Sequence, residues 1–213
     1  MQILIYNAVL LIIEAFCLGT FGATGLKSGK TAQTSFLVLA FLQLFVLHAF
    51  LDPSTMPDLP GYAFVYKKME YLSPFDKIAL VKMETGWMVM NKALCMVSKN
   101  PRLLIVLTSL CIVGGYFVAI KKYSPMLGLS VILFFFTTYL QSLFVLRQHL
   151  AVAICLLSIP AILNRKQVLF LLIMALAFSM HKTSRKILHR VSFDVPVTTY
   201  VNYNESKDIF HAS

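Results

Sequence analysis

Six long apolar runs, separated by short polar connections and one long one, organise this chain. They cover residues 2–21, 35–51, 103–120, 125–146, 149–163 and 167–181. Backbone N–H and C=O groups in hydrocarbon have only each other as partners, so each run is predicted to be an α-helix. A span takes about 20 residues. The runs at 149–163 and 167–181 are shorter, and cross only with Arg147, Gln148, Arg165 and Lys182 extended into the headgroups. The predicted fold is therefore all-α, a polytopic membrane helix bundle of about six transmembrane helices. The membrane domain covers 1–181, with a long outer loop at 52–101 between the second and third helices, and 182–213 form a loose basic tail. The first run lacks the basic start and small-residue cleavage site of a removable signal.

The long loop has its own pattern. Asp52, Pro53, Pro57, Pro60 and Gly61 are expected to break any helix at its start. Further on, Trp87, Met90, Leu94 and Val97 recur at helical spacing, with Asn91 and Lys92 off that stripe. This predicts a helix that either lies in the membrane interface with Trp87 at headgroup depth, or packs buried against the bundle.

Composition agrees with a membrane protein. Of 213 residues, 58% are hydrophobic and 13% charged, whereas about a quarter are charged in a soluble domain. The net charge of +10 acquires a different meaning once located. Residues 52–101 hold six Lys and five acids, and the tail holds five basic residues and three acids. Most of the excess lies in short connections, where it sets orientation rather than forming a groove for a nucleic acid. With the amino terminus outside, the connections 22–34, 121–124 and 164–166 face the cytoplasm with two basic residues each, against Arg147 alone in the outer connection 147–148. The cluster Lys182, Arg185, Lys186 and Arg190 conflicts with that arrangement, because it would begin outside. The four cysteines contain no C-x-x-C, so neither a metal site nor a redox dithiol is predicted. The chain has no G-x-x-x-x-G-K-[ST], G-x-G-x-x-G or H-E-x-x-H, so nothing in it suggests ATP, NAD or zinc hydrolysis, and no cofactor is expected.

The predicted topology gathers Asp58, Tyr62, Glu84, Arg147, Gln148 and His181 at the outer face. Arg147 interrupts a stretch from Ser124 to Asn164 that has no other charge. It either holds a phosphate through two parallel hydrogen bonds or caps a tight helical hairpin and extends into the headgroups. Ser130, Thr137, Gln141 and Gln148 fall near one face of the preceding helix, as a wet lining or as bonds between helices. His181 closes the last run as an interfacial residue or a base. Glu14 lies mid-span with Asn7 two turns away on the same face, either functional or neutral and bonded to a partner.

Several short motifs occur in order along the chain. Asp58-Leu-Pro-Gly-Tyr62 resembles a D-x-x-x-Y element, and Glu84-Thr-Gly-Trp87 an E-x-G-aromatic element. Lys122-Tyr123-Ser124 precedes a span. Ser142-Leu-Phe-Val-Leu-Arg147-Gln148-His-Leu-Ala151 resembles S-x-x-x-x-R-Q-x-x-A, and the run from Phe170 ends in His181-Lys182-Thr183, as in F-(apolar)-A-x-x-x-H-K-[ST]. Together, over about residues 1–184, they resemble the EpsG family of bacterial exopolysaccharide and capsule polymerases, relatives of the Wzy polymerases. Two features depart from that family: the stretch His48–Pro57 lacks an expected arginine, and the chain ends soon after His181. The resemblance implies a truncation or frameshift at the tail. It further implies a multi-pass protein of the bacterial inner membrane that joins polyprenyl-pyrophosphate-linked oligosaccharides, alongside other polysaccharide-assembly membrane proteins. In that reading Arg147 holds the pyrophosphate with Gln148 orienting, His181 or Glu84 is the catalytic base, and Asp58 and Tyr62 bind sugar or shape the loop. A truncated inactive or accessory relative, and a flippase of lipid-linked sugars, are the alternatives.

Overall fold

The computed structural model describes residues 2–18, 29–52, 58–75 and 83–182, and among them every regular element is helical. In chain order these are α1 (Gln2–Cys17), α2 (Lys30–Phe50), α3 (Leu59–Lys68), α4 (Thr85–Val97) and α5 (Arg102–Tyr123). A broken rod follows: α6 (Leu127–Phe134), a π-helical turn (Phe135–Tyr139) and α7 (Leu140–Ser142). After a non-helical step at 143–145 come α8 (Leu146–Leu156), α9 (Ile159–Leu163) and α10 (Gln167–Met180). The chain is thus a helical bundle, as the apolar runs predict. Of the tail expected at 182–213, only Lys182 is among the described residues.

Three helical segments are long and apolar enough to cross a membrane: α2, α5 and the combined segment Leu146–Leu163. α1, Leu127–Ser142 and α10 are apolar but shorter. Their outward faces suit hydrocarbon. Phe16 on α1, Val46 on α2, and Val168 and Leu172 on α10 are all exposed. Large contiguous apolar surface of this kind is rare on a soluble monomer.

α5 is the centre of the bundle, packing on α2 along one side and on α8 along the other. α8 in turn packs on α10, while α1 lies against α6 and α2. The α5–α8 approach is close because Gly115 faces Ala153. A Cβ at Gly115 would come 3.0 Å from the Ala153 Cβ and 3.2 Å from its carbonyl oxygen. Small residues at such a crossing allow two backbones to meet in lipid, where there is little hydrophobic drive to pair helices.

The antiparallel path divides the bundle into two ends. One carries the start of α2, the 123–127 connection and the 163–167 connection. The other carries α3, α4, the start of α5, the 143–145 step and the end of α10. Arg102, at the start of α5, donates from Nη1 to the Ala49 and Leu51 carbonyls at 3.2 and 3.1 Å. It thereby satisfies oxygens that the last turn of α2 leaves without partners.

Three local expectations are corrected. Pro60 and Gly61 do not break a helix but lie in the first turn of α3, with Asp58 at the N-cap. A first-turn proline loses no bond, because its N–H would have no helical partner there. On α4 the buried face is Trp87, Met88, Asn91 and Cys95, while Val97 is 79% exposed. Trp87 is fully buried inside the bundle end, so of the two placements expected for this helix the structure shows the one packed against the bundle. The polar stripe from Ser130 to Gln148 is also lost, because the π turn rotates the helix and the 143–145 step ends it. Ser130 instead bonds Ser124 across the start of α6 at 2.6 Å, and Thr137 donates to the Leu133 carbonyl. On α1, Asn7 accepts a bond from Gln43 Nε2 at 2.8 Å, and Glu14 Oε2 is buried without a partner among the described residues.

Candidate functional site

Glu84 occupies the N-cap position of α4 in an extended conformation, but its carboxylate does not cap the helix. It turns towards α8. Arg147 Nη1 donates to Glu84 Oε2 at 2.6 Å, and both side chains are largely shielded, at 18% and 13% exposure. The Lys182 backbone N–H donates to the other oxygen, Oε1, at 3.3 Å. One carboxylate thus ties together the start of α4, the first turn of α8 and the residue after α10. Such charge-assisted bonds are shorter and stronger than neutral ones.

An aromatic wall backs the guanidinium. The Arg147 Cζ lies 5.7 Å from the centre of the Tyr62 ring, and that ring lies 5.4 Å from the Trp87 ring. Tyr62 comes from α3 and Trp87 from α4, so the two helices of the long loop meet Arg147 as one unit. Burial pushes the Tyr62 hydroxyl above its ordinary pKa, and the neighbouring Arg147 cation opposes that rise. The phenol therefore remains a hydrogen-bond donor at neutral pH. Arg147 Nε is buried and meets no acceptor among the described residues.

His181 follows α10 in an extended conformation, its N–H donating to the Ala177 carbonyl at 3.2 Å. Burial holds its imidazole below the ordinary histidine pKa. The Arg147 and Lys182 cations act in the same direction, and the Glu84 carboxylate opposes them. The ring thus shares the electrostatic environment of the ion pair and is neutral at neutral pH.

Gly86 explains how α4 reaches this place. A Cβ there would come 2.2 Å from Ser179 Oγ, 2.6 Å from Ser179 Cβ and 2.7 Å from the Ser179 carbonyl oxygen. No side chain fits, so glycine is what lets the first turn of α4 press onto the end of α10 beside His181. The Glu-x-Gly-Trp sequence therefore has three distinct physical parts: a carboxylate for Arg147, a contact without a side chain, and an indole behind Tyr62.

The structure brings Glu84, Arg147, Tyr62 and His181 to one place. Asp58 is exposed at the start of α3, and its carbonyl accepts the Tyr62 N–H at 3.1 Å. It contributes to this place through the backbone of the helix that carries Tyr62 and through its charge, which adds to the rise of the Tyr62 hydroxyl pKa. Gln148 is half-buried on α8 beside Arg147 but joins the cluster through no hydrogen bond among the described residues. Sequence reasoning did not single out Gly86 or the Lys182 N–H. The Gly86 signal lay in the motif itself, but the Lys182 contact is a backbone bond that any residue type could make. Among the described residues, no group of three or more His, Cys, Asp or Glu is placed to hold a metal ion.

No curated protein and no solved structure matches the chain. The sequence profile of the EpsG family matches residues 34–195, more than half of the chain, and this span contains the whole cluster around Arg147. The chain belongs to the EpsG family.

Proposed function

We propose that this protein is a multi-pass enzyme of the bacterial inner membrane that joins polyprenyl-pyrophosphate-linked oligosaccharides during exopolysaccharide or capsule assembly. The family membership supports a polymerase-type role, and one observation carries the chemistry: the shielded Arg147–Glu84 pair beside Tyr62 and His181. The basic connections at the other end, Lys121–Lys122 and Arg165–Lys166, favour placing this site on the non-cytoplasmic side.

In this reading Arg147 receives the donor's pyrophosphate. Glu84 engages one nitrogen of the guanidinium, and the side chain keeps 18% exposure through which the remaining N–H groups would meet a phosphate oxygen. Glu84 fixes the guanidinium before substrate arrives, and Tyr62 supports it from behind. A new bond forms between the acceptor hydroxyl oxygen and the donor's anomeric carbon. The bond from that carbon to the pyrophosphate oxygen breaks, and polyprenyl pyrophosphate leaves with the electron pair. The hydroxyl proton passes to His181, whose neutral ring is the competent form. Fixed cations beside the leaving group stabilise the charge that develops on it. Glu84 serves orientation rather than base chemistry, because both its oxygens are engaged.

Arg147→Lys tests the proposal. Lysine keeps the positive charge but not the planar fork that binds phosphate through two bonds. Polymer formed from lipid-linked oligosaccharide by the purified full chain should fall about a hundredfold or more, with the protein still folded. Activity within a fewfold of the parent would overturn the assignment.

A further inference from the structure

A second polar cluster lies inside the bundle, behind the Arg147 site. His48 on α2 is 3% exposed, yet both its ring nitrogens have partners. Nδ1 is 2.7 Å from Ser109 Oγ on α5, and Nε2 is 3.0 Å from Ser142 Oγ at the end of α7. Each serine also has a backbone acceptor. Ser109 donates to the Ile105 carbonyl at 2.6 Å, and Ser142 to the Tyr139 carbonyl at 2.7 Å. Tyr139 donates from its hydroxyl to the Leu44 carbonyl at 2.9 Å, and its ring meets the His48 ring edge-on at 5.5 Å.

The position of Ser142 gives this cluster a use. Ser142 is the last helical residue before the 143–145 step, and Arg147 is the second residue of the helix that follows. The π turn shifts the hydrogen-bond register of the rod just before that end, with the Leu140 N–H bonded to the Phe135 carbonyl. His48 fastens that end from α2, a helix far away in sequence, and Tyr139, in the rod's own π turn, ties it to the Leu44 carbonyl on the same helix. We propose that His48 is a positioning residue for Arg147, acting through Ser142 to fix the step from which α8 starts. This rests on the proposed role of Arg147, but its structural part can be tested without activity.

The two ring nitrogens play different parts. Only the Nε2 contact reaches the rod that carries the step, whereas the Nδ1 contact joins α2 to α5. A neutral imidazole has one N–H, so it, Ser109 and Ser142 have three protons between them for four contacts. When one serine turns its proton to the ring it gives up its carbonyl. The cluster is therefore satisfied most fully when His48 donates to one serine and the other donates to His48. Glutamine places its amide near the position of Nε2, and asparagine near that of Nδ1. His48→Gln should therefore keep the bond to Ser142, while His48→Asn keeps only the bond to Ser109.

The test uses the full chain with Cys17, Cys95, Cys111 and Cys155 replaced by alanine and Val145→Cys added within the step. The rate of labelling by a maleimide reports how often the step opens. His48→Gln should label as the parent does. His48→Asn should label about fivefold faster, reflecting one lost buried hydrogen bond. Polymer synthesis should then fall in His48→Asn, in kcat more than in KM, and recover in His48→Gln. Equal labelling in the two variants would overturn the latch, whatever activity shows. If labelling separates them while activity does not, the latch stands and the role of Arg147 fails. If both substitutions prevent folding, Ser142→Ala against Ser109→Ala decides. Faster labelling in Ser142→Ala alone supports the latch, and equal rates overturn it.

Discussion

The two ends of this bundle handle charge in opposite ways. At one end Lys30, Lys121, Lys122, Arg165 and Lys166 are exposed, and none has a carboxylate partner among the described residues. At the other end Arg147 and Glu84 are shielded, bonded to each other and backed by Tyr62 and Trp87. Solvated charges of one sign need only be present, because the field that orients a membrane protein depends little on where each ammonium points. A shielded pair depends on every partner, since removing one strands the other in a poor solvent. The first end is tuned by number, the second by geometry.

That contrast can be broken most severely at Glu84. Glu84→Ala removes the acceptor of Arg147 Nη1 and of the Lys182 N–H, and should lower unfolding stability by about 3 kcal/mol. Denaturation in detergent would measure this, and a loss no larger than that of an exposed lysine would remove the distinction between the ends. Gly86→Ala comes next. Overpacking at a contact of this kind costs about 2 kcal/mol, and polymer synthesis should fall with it. Ser179→Gly should not restore the double variant, because the Ser179 backbone oxygen also stands in the way.

The response to pH sharpens the comparison more gently. A base must be neutral, and His181 is held below its usual pKa of 6.5 by burial and by the cations beside it. Its neutral form therefore persists as pH falls through 6.5. The rate should decline only below that, by about tenfold per unit on the acid limb. His181→Gln should remove that limb, and a limb that persists in the variant belongs to another group. The smallest effect is expected at the opposite end. Lys121→Gln with Lys122→Gln should leave the turnover of correctly inserted protein within about twofold, since neither contacts the site. A large loss of turnover there would show that the lysine-rich end does more than orient.

Sequence revealed the two ends unequally, for physical reasons. The apolar runs locate the main rods because hydrocarbon forces helical pairing on any long apolar stretch. The same uniformity hides the π turn and the 143–145 step. From Val131 to Leu146 apolar side chains dominate without proline or glycine, so no residue marks where the ladder fails. α3 is hidden for the opposite reason: Pro60 has the look of a breaker, although its place in the first turn makes it a starter. The buried face of α4 was misjudged because Asn91 looks polar. In fact its Nδ2 donates to the Trp87 carbonyl within the same helix at 2.7 Å, which makes its burial tolerable on that side. The candidate residues that gather around Arg147 stand in recognisable motifs. Their pairing is not legible there, since Glu84 and Arg147 are far apart in sequence and meet only through Gly86 and the end of α10. His48 gave even less signal, being one ring in an apolar run.

The length of α10 has a consequence for where the chemistry takes place. Its fourteen residues extend about 21 Å, at 1.5 Å for each. The oily slab of a typical membrane is about 30 Å thick. In the proposed orientation, with Arg165 and Lys166 anchored at one surface, His181 would fall well below the opposite one. The lipids around the protein must therefore dip towards it, or the substrate's phosphates must sink to meet it. Under the proposed function, the lipid carrier would then be met at a dimple in the sheet, and acyl chains of different lengths should change how readily that dimple forms.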